Sequence, residues 1–222
     1  MGKILDIIDG ISWLAVVKRL LVLIVPTVLI PFGISGYFAS NLGSDPFSVF
    51  IDGVHAVTGL THGRVTLINS ITLVTLMSIF GRKHLGVGTI VLALTAGPLI
   101  DVFLSALLSV IHTDYGALLA SRIIVLLAGC VALSVGIGVF IILAFGIGGI
   151  EWLVLTISEK LKISLRTARI VFDASLLCVG WLLGGLVGVG TILGAAATGP
   201  IIALTIRLLD KKVQRFIGAL KA

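Results

Sequence analysis

Six stretches of the chain, about 20–40, 64–80, 87–110, 119–145, 166–183 and 189–209, are apolar over close to the length a helix needs to cross a bilayer. A hydrocarbon core roughly 30 Å thick takes about 20 residues at 1.5 Å rise per residue. Hydrocarbon offers no water to backbone N–H and C=O groups, so such blocks fold as helices that satisfy themselves. The rest of the composition agrees, since 58% of the 222 residues are hydrophobic and 12% are charged. Soluble domains run near a quarter charged, at roughly 25%. Too little polar surface remains to cover a water-soluble globule.

Part of the sequence is written twice. Gly86-Val87-Gly88-Thr89-Ile90 followed by Gly97-Pro98 recurs 102 positions later as Gly188-Val189-Gly190-Thr191-Ile192 followed by Gly199-Pro200. Nine of the fifteen positions from Gly86 to Ile100 are identical to their counterparts. Upstream the offset becomes 103, with Gly33-Ile34 falling on Gly136-Ile137 and Gly43 on Gly146. A duplicated helical unit accounts for this. Each unit reads as a long segment A (20–40, 119–145), a short segment B (46–59, 149–158), a segment C (64–80, 166–183) and a segment D (87–110, 189–209). Many of the 27 glycines lie inside apolar blocks. Pairs such as Ala93-x3-Gly97, Gly184-x3-Gly188, Gly190-x3-Gly194 and Ala195-x3-Gly199 let membrane helices approach closely.

Segment B decides the topology. Its first copy opens Ser44-Asp45-Pro46, with Asp as N-cap and Pro at the first helical position, and ends at Gly59. The second opens Gly148-Gly149 and reaches Glu159-Lys160 after a short apolar run. Both are too short to cross comfortably and read as re-entrant half-helices, which membranes tolerate where protein or a wet cavity covers the backbone. The expected fold is therefore all-α, a polytopic bundle of two homologous repeats with about six spans and two half-helices. With six spans, 14 of the 16 Lys and Arg residues lie on one side, Arg64 and Arg122 being on the other. Eight spans give the same count, so the charge bias leaves the choice to the brevity of B. Either way both termini fall on the cation-rich, cytoplasmic side. The expected divisions are an amphipathic interfacial segment over 1–19, membrane repeats over 20–115 and 116–210, and a basic tail over 211–222.

The net charge of +6 does not indicate nucleic acid, because the cations flank apolar segments. The lipid bilayer is the expected partner. Cys130 and Cys178 fall inside apolar blocks, so neither a disulfide framework nor a metal cluster is indicated. The Gly-x-Gly-Thr runs lack the Lys-Ser/Thr of a phosphate loop. No Ser/His/Asp or Cys/His order appears, and the expectation is a protein that is not an enzyme and carries no cofactor.

Ionisable groups inside apolar segments mark functional sites. Asp52 and His55, at i and i+3 of the first segment B, form a polar face with Ser48 and can line a pore or relay protons; an interfacial helix facing headgroups is the bland alternative. Asp101 follows the Gly97-Pro98 break, which frees a backbone carbonyl; simple hydration near the membrane surface is the alternative. Asp173 sits mid-segment C with Arg169 one turn earlier, where the two can neutralise each other, and Asn69 occupies a comparable level in the first copy. Glu151 falls in the first turn after Gly148-Gly149, where a carboxylate suits the helix dipole, so capping is the first reading and binding the second.

Three runs carry a resemblance. Gly43-Ser44-Asp45-Pro46-Phe47-Ser48-Val49, Thr58-Gly59-Leu60-Thr61-His62-Gly63, and Gly81-Arg82-Lys83 with Gly86-Val87-Gly88-Thr89 resemble, in that order, the bacterial YczE/YyaS/YitT-type membrane proteins. The likeness runs from about 20 to 210. Phe47-Ser48 stands where that family commonly has Trp-Asp. The resemblance implies a bacterial cell-membrane protein and fixes no substrate.

Duplicated units, helices interrupted at Gly-Pro and a few buried acids are the pointers to a transporter or permease with a midplane site. The two B-helix N-termini would face an anionic or polar group. Gly97-Pro98 and Gly199-Pro200 would supply free carbonyls and a hinge, and Asp52, His55 and Asp101 would couple protons or cations. The competing expectation is a non-transporting scaffold or accessory subunit, whose small-residue faces would bind a partner membrane protein or a second copy.

Overall fold

The computed structural model describes residues 13–113 and 119–218. Residues 1–12, which hold most of the expected interfacial segment, and 219–222 of the basic tail lie outside the described residues. Among these described residues eight α-helices follow one another: α1 (Trp13–Ser40), α2 (Pro46–Thr58), α3 (His62–Phe80), α4 (Val87–Thr113), α5 (Leu119–Leu143), α6 (Gly149–Leu161), α7 (Leu165–Leu182) and α8 (Val189–Ile217), with a 3-10 turn at Arg82–His84 between α3 and α4. No strand occurs among the described residues. Segments A to D thus appear as helices within about three residues of the expected bounds, except that α1 starts seven residues before 20 and α8 ends eight residues past 209. Helix α8 runs to Ile217, so the start of the basic tail is helical.

Among the described residues, five helices are long and apolar enough to cross a membrane, over Val16–Ser40, His62–Phe80, Val87–Val110, Leu119–Leu143 and Val189–Ile217. The sixth expected span, α7, has 18 residues but carries Arg166, Arg169 and Asp173. Helices α2 and α6 have 13 residues each, which at 1.5 Å per residue is only about two-thirds of a hydrocarbon core. Large apolar side chains face outward along the long helices, among them Val102 at 60% and Ile124 at 65% exposure. Water would penalise that surface by roughly 25 cal/mol per Å2, whereas lipid does not.

The core is the antiparallel pair α1 and α5. A Cβ at Gly33 would stand 2.5 Å from Leu133 N, and one at Gly129 would stand 2.9 Å from Gly33 O. Glycine at these crossings brings backbone onto backbone, and Leu126, Leu133 and Tyr37 close the core around it. Helix α4 packs on α1, and α8 packs on α5. Each of these outer helices begins with a crossed backbone bond: Gly88 N donates to Phe145 O at 2.9 Å, and Gly190 N donates to Leu42 O at 2.8 Å. The accepting turns match as well, with Asn41 (φ 53) and Ala144 (φ 47) both left-handed and 103 positions apart.

The peripheral helices are less even. Helix α3 lies along α4, whereas α7 lies along α2 and scarcely touches α8. A Cβ at Gly97 would stand 2.5 Å from Gly63 O and 2.8 Å from Leu67 Cβ, while nothing lies within 4 Å of one at Gly199. The expected breaks at Gly97-Pro98 and Gly199-Pro200 do not occur, because α4 and α8 run unbroken through Pro98 and Pro200. Proline removes one N–H and one helical bond, and the other bonds along helices of 27 and 29 residues hold the axis together.

Candidate solute site

Helices α2 and α6 begin where the sequence expects them, for different local reasons. The carboxylate of Asp45, the N-cap of α2, accepts from Phe47 N and Ser48 N at 3.2 Å each and from Ser48 Oγ at 2.6 Å. Pro46 then fills the first helical position, where no N–H is needed. The corresponding N-cap of α6 is Gly148, which has no side chain to cap with. Three residues on, Glu151 turns its carboxylate back over Gly148, into the space a Cβ there would occupy. Both half-helix N-termini are therefore covered by an acid of the chain itself. Electrostatically this suits the partial positive charge of those ends, and it leaves neither open to an outside anion.

Both ends border one cavity of about 500 Å3. Its walls are largely apolar, built by Ile30 and Ile34 of α1, Leu92 of α4, and Leu133, Ile137 and Phe140 of α5. Polar groups enter from the other side: Asp45 and Ser48 from α2, Thr66, Asn69 and Ser70 from α3, Glu151 from α6 and Arg169 from α7. Glu151 and Arg169 are each 46% exposed and stand at the cavity mouth. Arg169 Nε donates to Asp173 Oδ2 at 2.9 Å, one turn along α7, and its Nη1 lies 3.7 Å from Glu151 Oε1. The guanidinium thus links two helices by its position between two carboxylates, with its short bond given to Asp173. Glu151 accepts no hydrogen bond from the described residues.

A second polar group lies where the α2–α3 hairpin closes. Gly59 ends α2 in the left-handed region (φ 70), and Thr61 caps α3 by accepting from Arg64 N at 3.2 Å. The reversal carries His62 over α2. Asp52 does not pair with His55, as the i, i+3 spacing suggests; its Oδ1 lies 2.9 Å from His62 Nε2, and its Oδ2 accepts from Leu186 N of the α7–α8 loop at 2.8 Å. His55 turns its Nδ1 to Leu60 O at 2.6 Å. A carbonyl can only accept, so that nitrogen carries a proton. The imidazoles of His55 and His62 stack with centroids 4.0 Å apart, and Phe38 closes the other face of His62 at 4.1 Å.

Asp101 has a more local task. Its Oδ2 accepts from Thr61 Oγ1 at 2.6 Å and its Oδ1 from Gly63 N at 2.8 Å, pinning the start of α3 to α4.

Of the residues singled out from the sequence, Asp45, Asn69, Gly148, Gly149 and Glu151 border the cavity, and Asp173 reaches it through Arg169. Asp52 and His55 gather at His62, with Asp101 beside them on Thr61 and Gly63. Ser44 is buried at 3% exposure in the turn before α2. Gly97 packs on α3, while Gly199 and Pro200 face outward on α8, away from both groups. His62 is the candidate side chain that spacing missed, since it acts across helices; the Arg169–Asp173 pair forms as the spacing expects, and only the approach of Arg169 to Glu151 of α6 was not visible in it. Among the described residues no three His, Cys, Asp or Glu side chains converge as metal ligands would.

A family model described as a family of unknown function (DUF6198) matches residues 17–207. The uncharacterized membrane protein YczE of Bacillus subtilis is 30% identical over 200 residues, covering 88% of this chain and 90% of the relative. An uncharacterized protein of Haemophilus influenzae is 25% identical over 202 residues, covering 90% of this chain and 88% of the relative. No solved structure matches.

Proposed function

Starting from a chain that belongs to the YczE-type membrane-protein family of unknown function, DUF6198, we propose that it is a transporter or permease for a small solute or ion. One observation carries the reading: a cavity of about 500 Å3 inside the helical bundle, bordered by the N-termini of two half-helices and by Asp45, Glu151 and Arg169. A wet, partly charged cavity is where a membrane protein can keep half-helices whose backbone lipid would not tolerate.

In this reading the chain is two homologous repeats, α1–α4 and α5–α8, of three spans and one half-helix each, with α7 as the sixth span. The paired bonds of Gly88 and Gly190 and the paired left-handed turns favour it. Three spans per repeat make the two copies inverted, with the site between them. Lys18 Nζ lies 5.6 Å from the Phe216 ring centroid, so the start of α1 and the end of α8 share one side. The cation excess makes that side cytoplasmic, in a bacterial cell membrane. Asp52, His62 and His55 are the candidates for proton or cation coupling, because a carboxylate beside stacked imidazoles can exchange charge when the α7–α8 loop moves.

Flux of a broad solute panel into proteoliposomes tests the proposal. Asp52→Asn should abolish uptake of the solute that the unaltered protein carries while leaving its elution profile unchanged. No uptake of any solute, together with co-purification of one stoichiometric partner, would favour the scaffold reading. The outward small-residue face of α8 around Ala195, Gly199 and Ala203 is the observation behind that alternative.

A further inference from the structure

Two carboxylates, Asp45 and Glu151, line the cavity together with the guanidinium of Arg169, whose short bond goes to Asp173 one turn along α7 and offsets its charge. The N-termini of α2 and α6 add the equivalent of about half a positive charge each. Roughly one negative charge is left over in a cavity walled mainly by aliphatic and aromatic side chains. The excess can be located. Asp45 receives three hydrogen bonds from its own helix, and Asp173 receives the short Arg169 bond. Glu151 receives none from the described residues, and its closest cation stands 3.7 Å away. Its carboxylate lies at the mouth, with the apolar wall of Ile30, Ile34, Leu133 and Phe140 beyond it.

We infer that the cavity takes a small organic cation, an ammonium group bearing an apolar body, with its N–H donors on Glu151 and its body against α1 and α5. An anion of the same shape would meet the two carboxylates of Asp45 and Glu151 and a guanidinium already engaged by Asp173, and like charges brought together at low dielectric are strongly disfavoured. A neutral molecule would gain the apolar wall without neutralising Glu151. The inference rests on the cavity being a solute site, as the transport reading has it, but binding can be measured without flux.

Benzylammonium, benzyl alcohol and benzoate share one ring and differ in charge, so they separate the contributions. Thermal unfolding of the purified full-length protein in detergent should be shifted upward by benzylammonium, with half-saturation at least tenfold lower than for benzyl alcohol, and benzoate should give no shift. Glu151→Gln should raise the benzylammonium half-saturation at least tenfold. Glu159→Gln, at the exposed far end of α6, should leave it unchanged. If Glu151→Gln does not yield folded protein, Glu151→Asp keeps the charge at a shorter reach and should retain part of the response. Equal shifts from the alcohol or the benzoate, no shift from any of the three, or an unchanged response in Glu151→Gln would overturn the inference. Saturable binding of benzylammonium with no uptake into proteoliposomes would sink the transport reading and leave the cation site standing. Uptake that ignores Glu151 would do the reverse.

Discussion

Gly97 and Gly199 each precede a proline in the middle of a long helix, within stretches of nearly the same sequence. By sequence alone, replacing either with alanine should have one and the same effect. The structure separates them. A Cβ at position 97 would stand 2.5 Å from the Gly63 carbonyl oxygen and 2.8 Å from Leu67 Cβ, whereas at position 199 it meets nothing within 4 Å. Ordinary contacts lie near 3.5 Å, so α3 and α4 would have to part by about 1 Å. The gain from putting alanine for glycine in a helix is common to both variants, and it cancels in their difference. What remains is overpacking, worth about 1–3 kcal/mol. For a chain of this size 1 kcal/mol moves Tm by about 2–4 °C, so Gly97→Ala should melt about 2–12 °C below Gly199→Ala. Tryptophan-fluorescence melting of both purified variants in one detergent gives the comparison. Equal Tm values, or a lower value for Gly199→Ala, would refute the unequal packing of α3 and α7.

The pin at the start of α3 gives a second expectation. Asp101→Ala should cost about 1.5–3 kcal/mol, because hydrogen bonds to a charged acceptor are lost and the Gly63 N–H loses its partner; the same melting assay reads it, and a loss within the error of the assay would show that the pin is idle. Topology can be probed by His62→Cys in a background carrying Cys130→Ala and Cys178→Ser. With six spans and an inward N-terminus, an impermeant thiol reagent should label that position from outside the cell, and labelling from the cytoplasmic side alone would require eight.

The helices themselves were legible because membrane insertion writes them plainly. Apolar length marks the long ones, and Asp45-Pro46 at one end with Gly59 at the other marks α2 by caps that need no tertiary partner. The site was less so. Asp52 and His55 lie one turn apart on α2, and spacing alone pairs them. The pairing observed instead depends on how sharply Gly59 reverses the chain and on where the α7–α8 loop delivers the Leu186 N–H. Glu151 reads as a cap from its place in the first turn of α6, but it accepts no capping bond among the described residues, and the cavity it borders and Arg169 beside it come from other helices. The Gly-Pro pairs misled because proline frees a carbonyl without obliging a long, supported helix to break.

The crossed bonds of Gly88 and Gly190 bear on how such a protein is made. Ribosomes deliver α1 to α4 first, and during that interval Gly88 has no Phe145 carbonyl to meet. Leu42 likewise waits for Gly190, which follows it by nearly the whole remaining chain. Gly88 is buried in the finished bundle, and a polar group left unmatched away from water is costly. The first four helices are thus a half-finished surface that only later synthesis completes, exposed meanwhile to insertion factors and quality-control proteases. Expressed alone, either half should be short-lived, and the two halves co-expressed as separate polypeptides should rescue one another.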